Sequence, residues 1–332
     1  MKKLLIIFSL LFTTQTFYGQ NPQKTASPEP QRGKPIVIPT RYDEHRFVAL
    51  PVTDGGQQLA FFTDSGGGLF IFDDTAEKLK LDIHQGEEKG EDGQPVKFAA
   101  LPGFKASALI PQPLGKADGR LFVMGHKNAP PTFAKYDGML GQQWFAGRTW
   151  TFDYPKQQLL WRAAGDLPKH QPAQAVKLFF KTDATGKHLT DFARIPVEID
   201  GEVIDFLFDT GATNVLPDEV LKVINDGRPA ERAASFLTKS QFDKWKQKHP
   251  EWRVLENIKT MTGNAMIEVP KIKLGGFEVG PVWFTVQSDN AFHKYMAQWM
   301  DKPTEGALGG SALHYLRVTV DWTNGIAVFE KP

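Results

Sequence analysis

The sequence contains no cysteine and no excess of charge of either sign, and these absences exclude several kinds of protein. Without cysteine there can be no disulfide, thiolate zinc site, iron–sulfur cluster or cysteine nucleophile. The 332 residues include 39 basic and 38 acidic side chains, a formal net charge of +1. A general nucleic-acid binder needs a basic excess, so we expect no nucleic-acid partner.

The sequence also lacks an apolar run of the roughly 20 residues that a membrane-spanning helix needs. Its longest apolar run, Leu4–Phe12, is interrupted only by Ser9 and follows the basic pair Lys2-Lys3. A basic start, a short apolar stretch and a small residue such as Gly19 are typical of a secretory signal peptide. The sequence therefore predicts a signal peptide at residues 1–19, a secreted or periplasmic protein, and no stable membrane insertion.

The rest of the composition is that of a packed, turn-rich protein. Five prolines among polar residues predict an extended leader or linker at residues 20–40. Beyond it, 25 Phe and 8 Trp in a chain that is 41% hydrophobic argue against disorder. The 30 Gly and 23 Pro indicate many turns and short strands.

The chain repeats itself in two blocks. At an offset of 145 residues, the first half matches the second without a gap at Phe47/Phe192, Pro51/Pro196, Val52/Val197, Gly56/Gly201, Phe61/Phe206, Asp64/Asp209 and Gly66/Gly211. At an offset of 168 residues, it matches at Gly138/Gly306, Leu140/Leu308, Gly141/Gly309, Thr151/Thr319 and Asp153/Asp321. Two blocks that repeat in the same order indicate a duplicated unit, which predicts two lobes, 41–165 and 166–332.

The second lobe is longer than the first, because the two offsets differ by 23 residues. We expect the extra residues near 230–255, as a short helical insertion capped by Ser240 and ended by Pro250. The repeat contains two Asp-Ser/Thr-Gly triplets, Asp64-Ser65-Gly66 and Asp209-Thr210-Gly211. A short helix is also predicted after each triplet, at Asp73–Lys80 and Asp218–Ile224. Predicted strands are Phe47–Val52, Leu59–Thr63, Phe192–Ile199, Val203–Phe208, Lys271–Leu274 and Val282–Gln287.

The two triplets are the residues that carry chemistry. Each follows an apolar strand, and its glycine lets the backbone turn sharply and present an N–H to the carboxylate. A two-fold relation between the units allows Asp64 and Asp209 to meet at the interface. Two carboxyl groups that close share one proton. The ionised member can then take a proton from a water while the protonated member polarises a substrate carbonyl, which is peptide hydrolysis without a metal or a covalent adduct.

The motifs Phe61–Gly66 and Phe206–Thr213 resemble the two catalytic motifs of the aspartic proteases, and Met139–Gly141 and Ala307–Gly309 resemble the apolar-apolar-Gly element behind each motif. The run Asp-Thr-Gly-Ala-Thr is closer to retropepsins than to pepsin, and the whole is similar to bacterial single-chain aspartyl-protease-like proteins. The resemblance implies a mostly β, duplicated, bilobed β-barrel fold of the pepsin/retropepsin kind with a few short helices and a cleft between the lobes.

The resemblance also implies the site. Asp64 and Asp209 would be the catalytic pair, supported by Ser65, Gly66, Thr210, Gly211 and Thr213. Retropepsins have one flap per subunit, so Gly263 and Asn264, at the turn of Thr260–Met266, are the candidate substrate-binding flap of the second lobe. No metal and no cofactor are implied. We expect a monomer that acts on a peptide or protein substrate.

The sequence departs from the family in the third position after each aspartate. That position holds Gly67 and Ala212, so neither carboxylate has the extra hydroxyl donor typical of pepsin. Fewer donors to the charged form should leave the pKa of the pair higher, which predicts a pH optimum less acidic than that of pepsin. The first-lobe flap region, Gly86–Gln94, also has no tyrosine.

Two other functions stay open at this point: a catalytically inactive peptide-binding protein that keeps the cleft, and a β-rich structural module. A chymotrypsin-like reading of Thr63–Gly67 is set aside, because His45 is the only upstream histidine and too little chain precedes Ser65. The eight histidines are spread singly, without metal-ligand spacing.

Overall fold

A computed structural model describes residues 28–89, 94–113 and 120–332, so the predicted signal peptide and the start of the predicted leader lie outside the described residues. The chain is mostly β with a few short helices. The strands are β1 (Ile36–Val37), β2 (Thr40–Asp43), β3 (Arg46–Ala49), β4 (Phe61–Thr63), β5 (Phe70–Phe72), β6 (Ile83–Lys89), β7 (Pro95–Ala100), β8 (Arg120–Met124), β9 (Gly138–Leu140), β10 (Thr149–Asp153), β11 (Gln158–Arg162), β12 (Ala175–Lys177), β13 (Arg194–Ile199), β14 (Glu202–Phe208), β15 (Thr213–Val215), β16 (Glu231–Ala233), β17 (Ser235–Thr238), β18 (Val254–Glu256), β19 (Ala265–Val269), β20 (Ile272–Leu274), β21 (Phe277–Val279), β22 (Val282–Gln287), β23 (Gly306–Leu308), β24 (Arg317–Asp321) and β25 (Ile326–Glu330). The α-helices are α1 (Asp73–Lys78), α2 (Gln142–Phe145), α3 (Asp218–Ile224), α4 (Lys239–Lys248) and α5 (Gly310–Leu313).

Each half of the chain builds one large sheet, and the order β3-β4-β9-β5-β8-β7-β6 in the first corresponds to the order β13-β14-β23-β17-β22-β19-β18 in the second. The first has the order β2-β3-β4-β9-β5-β8-β7-β6, and the second β18-β19-β22-β17-β23-β14-β13-β20-β21. In both, the strand that leads into the Asp-Ser/Thr-Gly triplet pairs in parallel with the strand that ends in the Leu before Gly. The six strands predicted from the sequence are all present, with ends that differ by up to two residues from the prediction except where Phe47–Val52 ends at Ala49.

A six-stranded sheet of order β1-β11-β10-β24-β25-β12 joins the two halves. Its central pair, β10 and β24, places Thr151 opposite Thr319, two residues that the repeat predicts to be equivalent. Their hydroxyl groups are 2.8 Å apart and buried. A pairing of equivalent residues is what a two-fold relation between the halves requires at its axis. β1 belongs to this sheet, so the end of the predicted leader is part of the folded structure.

The position predicted for the second-lobe insertion is wrong. In the first sheet Phe70 of β5 pairs with Met139 of β9, and in the second Phe236 of β17 pairs with Ala307 of β23. Phe70 and Phe236 are therefore equivalent, and the offset between the halves has already reached 166 residues at Phe236. Most of the extra residues therefore lie between Gly211 and Phe236. We call residues 213–234, which form β15, α3 and β16, the inserted segment.

The helix predicted near residue 240 exists, as α4, but it is the counterpart of α1 and not an insertion, because each follows the equivalent strand β5 or β17. α3, which the sequence placed as the partner of α1, lies in the inserted segment. The cap of α4 is also corrected: Thr238 accepts the hydrogen bond from the Gln241 N–H, not Ser240. Across the described residues, every helix is too short or too polar to span a bilayer.

Candidate active site

Both triplets begin where a buried strand ends. β4 ends at Thr63 and β14 at Phe208, and the next residue in each case is the aspartate. The Asp64 N–H donates to Leu140 O at 3.1 Å and the Asp209 N–H donates to Leu308 O at 3.0 Å, so β9 and β23 fix the backbone of each aspartate.

The glycine after each of these supporting strands is required by a close approach of backbones. A Cβ at Gly141 would lie 2.0 Å from Gly68 O, and a Cβ at Gly309 would lie 2.1 Å from Ala234 O. The apolar-apolar-Gly pattern noted in the sequence therefore has a steric cause: the third residue passes directly behind the loop that carries the aspartate.

The structure brings Asp64 and Asp209 together. Their carboxyl groups lie within hydrogen-bonding reach of each other. The glycine of each triplet lies against the opposite carboxyl group, since a Cβ at Gly66 would be 2.5 Å from Asp209 Cγ and a Cβ at Gly211 would be 2.2 Å from Asp64 Cγ. Any side chain at either glycine would displace the partner aspartate.

Each triplet also holds its own carboxylate. The Gly66 N–H donates to Asp64 Oδ1 at 2.8 Å, and the Gly211 N–H donates to Asp209 Oδ1 at 3.2 Å. These bonds favour the charged carboxylate and orient it toward the partner.

The two hydroxyl residues brace the triplets across the two halves, but unequally. Ser65 Oγ donates to Phe208 O at 2.7 Å and accepts from the Thr210 N–H at 3.0 Å. Thr210 Oγ1 accepts from the Ser65 N–H at 3.1 Å. Ser65 and Thr210 are each about 1% exposed, so these bonds are shielded from water. Ser65 therefore carries more of the brace than Thr210.

Burial and mutual repulsion dominate the electrostatics of the pair. Asp64 is 6% exposed. Burial raises the pKa of Asp64, although hydrogen bonds from Asp209, Gly66 and Gly211 oppose the shift. Burial and then the charge of Asp64 raise the pKa of Asp209 well above its usual range. The pair thus holds a shared proton at a pH where an ordinary aspartate has lost it.

The third position after Asp64 is closed by a methionine. A Cβ at Gly67 would lie 2.4 Å from Met139 Sδ and 2.7 Å from Asp64 Oδ2. A hydroxyl side chain at this position would therefore compete with the Met139 thioether, which already fills the space beside the carboxylate. In the second half the equivalent space is apolar as well, because Ala212 lies there against Gly309.

Thr213 is tied to the first half by a charged residue that the sequence reading missed. Thr213 Oγ1 donates to Gly211 O at 2.8 Å and accepts from Arg46 Nη1 at 3.0 Å. Arg46 is 1% exposed and also pairs with Glu231 of the inserted segment at 3.2 Å. The run 43–46 is charged and is typical of a solvated turn, and the contacts of Arg46 with Thr213 and Glu231 of the other half are not visible in it.

The predicted second-lobe flap lies against its own sheet and the inserted segment. Gly263 and Asn264 lie in the loop between β18 and β19, and a Cβ at Gly263 would be 2.2 Å from Val286 O of the same sheet. The Met261 N–H donates to Val215 O at 3.2 Å, which brings the loop onto the inserted segment. β6 and β7 form the corresponding hairpin of the first half, and its tip, 90–93, lies outside the described residues.

No protein-family model matches the chain, and no curated protein matches it in sequence. Among solved structures it is similar to the aspartic proteinase from Irpex lacteus, at 9% identity over 90% of this chain and 97% of that chain, with a TM-score of 0.47. It is also similar to conglutin gamma, a basic 7S globulin from lupine seeds, at 9% identity over 90% and 95% of the two chains (TM-score 0.46). A third similar structure is EDGP, at 10% identity over 93% and 96% (TM-score 0.40). Likenesses this distant carry no argument about chemistry, which has to come from the geometry of the two aspartates.

Proposed function

We propose that the chain is an exported aspartic endopeptidase that hydrolyses peptide bonds with a water activated by Asp64 and Asp209. The observation that carries this proposal is the pair itself: the buried carboxyl group of Asp64 and the partly buried one of Asp209, one from each half, lie close together at the ends of equivalent strands. A buried carboxyl pair is costly for folding, so its presence in such a constrained turn points to chemistry.

The chemistry follows from the shared proton. Asp209 has the more strongly raised pKa, so we place the proton there and the charge on Asp64. Asp64 takes a proton from the water while the water oxygen bonds to the peptide carbonyl carbon, and Asp209 donates its proton to the carbonyl oxygen. When the tetrahedral intermediate collapses, the C–N bond breaks, the proton on Asp64 passes to the leaving nitrogen, and one hydroxyl group of the intermediate returns its proton to Asp209 as the C=O bond forms again. No covalent bond to the enzyme forms at any step.

The remaining parts of the proposal rest on the sequence. The predicted signal peptide supports a secreted or periplasmic location, and a peptide or protein is the substrate class. Both carboxyl groups come from one chain, so a monomer suffices for the site. Gly263 and Asn264 stay predicted as substrate contacts.

The proposal is tested by incubating the protein with a mixed peptide library in heavy-oxygen water across about pH 3 to 8 and identifying the products by mass spectrometry. We expect internal cleavages, one heavy oxygen in each new C-terminal carboxyl group, and no trapped protein adduct. An acyl group on Ser65 would contradict the mechanism. Binding of library peptides without any cleavage would overturn the enzyme and favour the inactive peptide-binding alternative.

A further inference from the structure

The inserted segment does not pack flat on its own half of the chain but leaves a cavity of about 370 Å³. One wall comes from the segment, and the others from β19, β22 and α5 with the residues after it. The apolar part of the lining is Leu216, Ile224, Met266 and Trp283. The cavity is within the usual size range of small-molecule sites, and an engineered cavity of about 150 Å³ already holds benzene.

All four charged residues in the lining have a partner of opposite charge, and three of them are fully used by their partners. All three guanidinium nitrogens of Arg232 have acceptors: Pro229 O at 2.7 Å, Asp226 Oδ2 at 2.6 Å and Arg228 O at 2.5 Å. The contact with Asp226 also neutralises that carboxylate. Glu268 pairs with Arg253 at 3.1 Å. The cavity therefore offers no free carboxylate to a cationic ligand.

Arg228 is different. Its Nε donates to Glu44 of the first half at 2.9 Å, but within the described part of the chain its other two nitrogens have no acceptor. Nη2 is among the buried side-chain nitrogens without a partner. Nη1 is not among these buried nitrogens, so it is the one that an acceptor in the cavity would reach, and an anionic acceptor suits a guanidinium best.

We propose that this cavity binds a small aromatic carboxylic acid, with its carboxylate on the Arg228 guanidinium and its ring system against Met266 and Trp283. An arginine that is already paired with Glu44 and keeps Nη1 without an acceptor suits a monoanion, whereas a phosphate dianion would need more positive charge. The volume suits about two fused rings with a short acidic arm. The site does not include Asp64 or Asp209, so the proposal goes beyond hydrolysis and does not depend on it.

Because Arg228 also holds Glu44, and the Ala233 N–H donates to Glu44 O at 3.1 Å, the site lies beside a contact between the two halves. This position distinguishes it from a surface depression on one half alone.

The probe is 2-naphthylacetate, and its control is 2-naphthylacetamide, which keeps the ring system and loses the charge. Isothermal titration calorimetry on the full chain should show the acid binding about tenfold more tightly than the amide or better. Arg228→Met should remove that preference, Arg228→Lys should keep part of it, and Arg41→Met, an exposed arginine of β2, should leave it unchanged.

Equal binding of acid and amide by the wild-type chain would overturn the proposal, as would no binding of the acid at about 5 mM. Both results are independent of any variant, so they hold even if Arg228→Met fails to fold. A preference for the acid that survives in a folded Arg228→Met, shown by an unchanged circular-dichroism spectrum, would overturn the assigned position of the carboxylate. Narrowing the cavity with Ile224→Phe should weaken acid and amide together.

Discussion

Replacing the two bracing hydroxyls should destabilise the protein unequally, although the sequence presents Ser65 and Thr210 as equivalent residues. Ser65→Ala removes the side-chain oxygen that both donates to Phe208 O and accepts from the Thr210 N–H. Thr210→Val, which keeps the shape of the side chain, removes only the acceptor of the Ser65 N–H.

The magnitude follows from the number of buried groups left without a partner. Each such group costs about 1–3 kcal/mol. Ser65→Ala leaves one carbonyl and one N–H, which gives a loss of about 2–6 kcal/mol in the free energy of unfolding. Thr210→Val leaves one N–H, which gives about 1–3 kcal/mol. We therefore expect Ser65→Ala to be the more damaging change by at least about 1 kcal/mol.

Urea unfolding of both variants, followed by tryptophan fluorescence at one pH, measures the two losses. Ser107→Ala, at an exposed serine outside the brace, is the control and should change the free energy by no more than about 0.5 kcal/mol. Equal losses for Ser65→Ala and Thr210→Val, or a larger loss for Thr210→Val, would refute the unequal brace.

Three further predictions concern the surroundings of the pair. Because the pKa of Asp209 is raised in the folded state, its protonated form stabilises the fold at low pH, and this stability is lost as the pH rises above the unfolded pKa. Asp209→Asn should therefore be more stable than the wild type at neutral pH, and unfolding measured across a pH series should show this difference vanish in acid. His314 stacks on His45 with ring centroids 4.1 Å apart, and burial lowers the pKa of His314 to about 4. Stability that is present above about pH 6.5 is therefore lost toward pH 4. His314→Phe should reduce that loss in the same pH series, and an unchanged dependence of stability on pH would contradict the role given to His314. Gly67→Ser should destabilise by about 1–3 kcal/mol because Met139 fills the space, and adding Met139→Ala should restore part of it in thermal unfolding, whereas additive losses would exclude the steric cause.

The parts of the molecule that the sequence predicts well are those encoded by local pattern. Strands such as Val203–Phe208 are short apolar runs bounded by Gly-containing turns, and the structure has them within about a residue. The meeting of Asp64 and Asp209 is expected from the repeat together with the resemblance of the two motifs, because equivalent positions meet when they lie near a two-fold axis.

The inserted segment was misplaced because its helix offers a false match. Asp218-Glu219 aligns with Asp73-Asp74 at the offset of 145 residues, and this match predicts α3 as the counterpart of α1. Only the pairing of β5 and β17 with their neighbours shows that α4 holds that place. The register of a sheet depends on contacts between distant residues, which a local pattern does not contain.

The roles of Arg46 and Met139 are not visible in the sequence for a related reason. The role of each is defined by a residue far away in sequence: Thr213 and Glu231 for Arg46, and Gly67 for Met139. The sequence does carry one half of the second signal, since Gly67 marks the absence of a hydroxyl. What fills that space is visible only in the fold.

The central claim is that Asp64 and Asp209 together hydrolyse peptides, and the most direct test is the turnover of a cleaved library peptide by Asp64→Asn and Asp209→Asn across about pH 3 to 8. Asp218→Asn, which changes an exposed carboxylate in the first turn of α3, is the matched control. We predict that both dyad variants lose at least about a hundredfold in kcat/KM, that the control keeps wild-type activity, and that the wild-type optimum lies above about pH 3. Unchanged turnover in the two dyad variants would contradict the account.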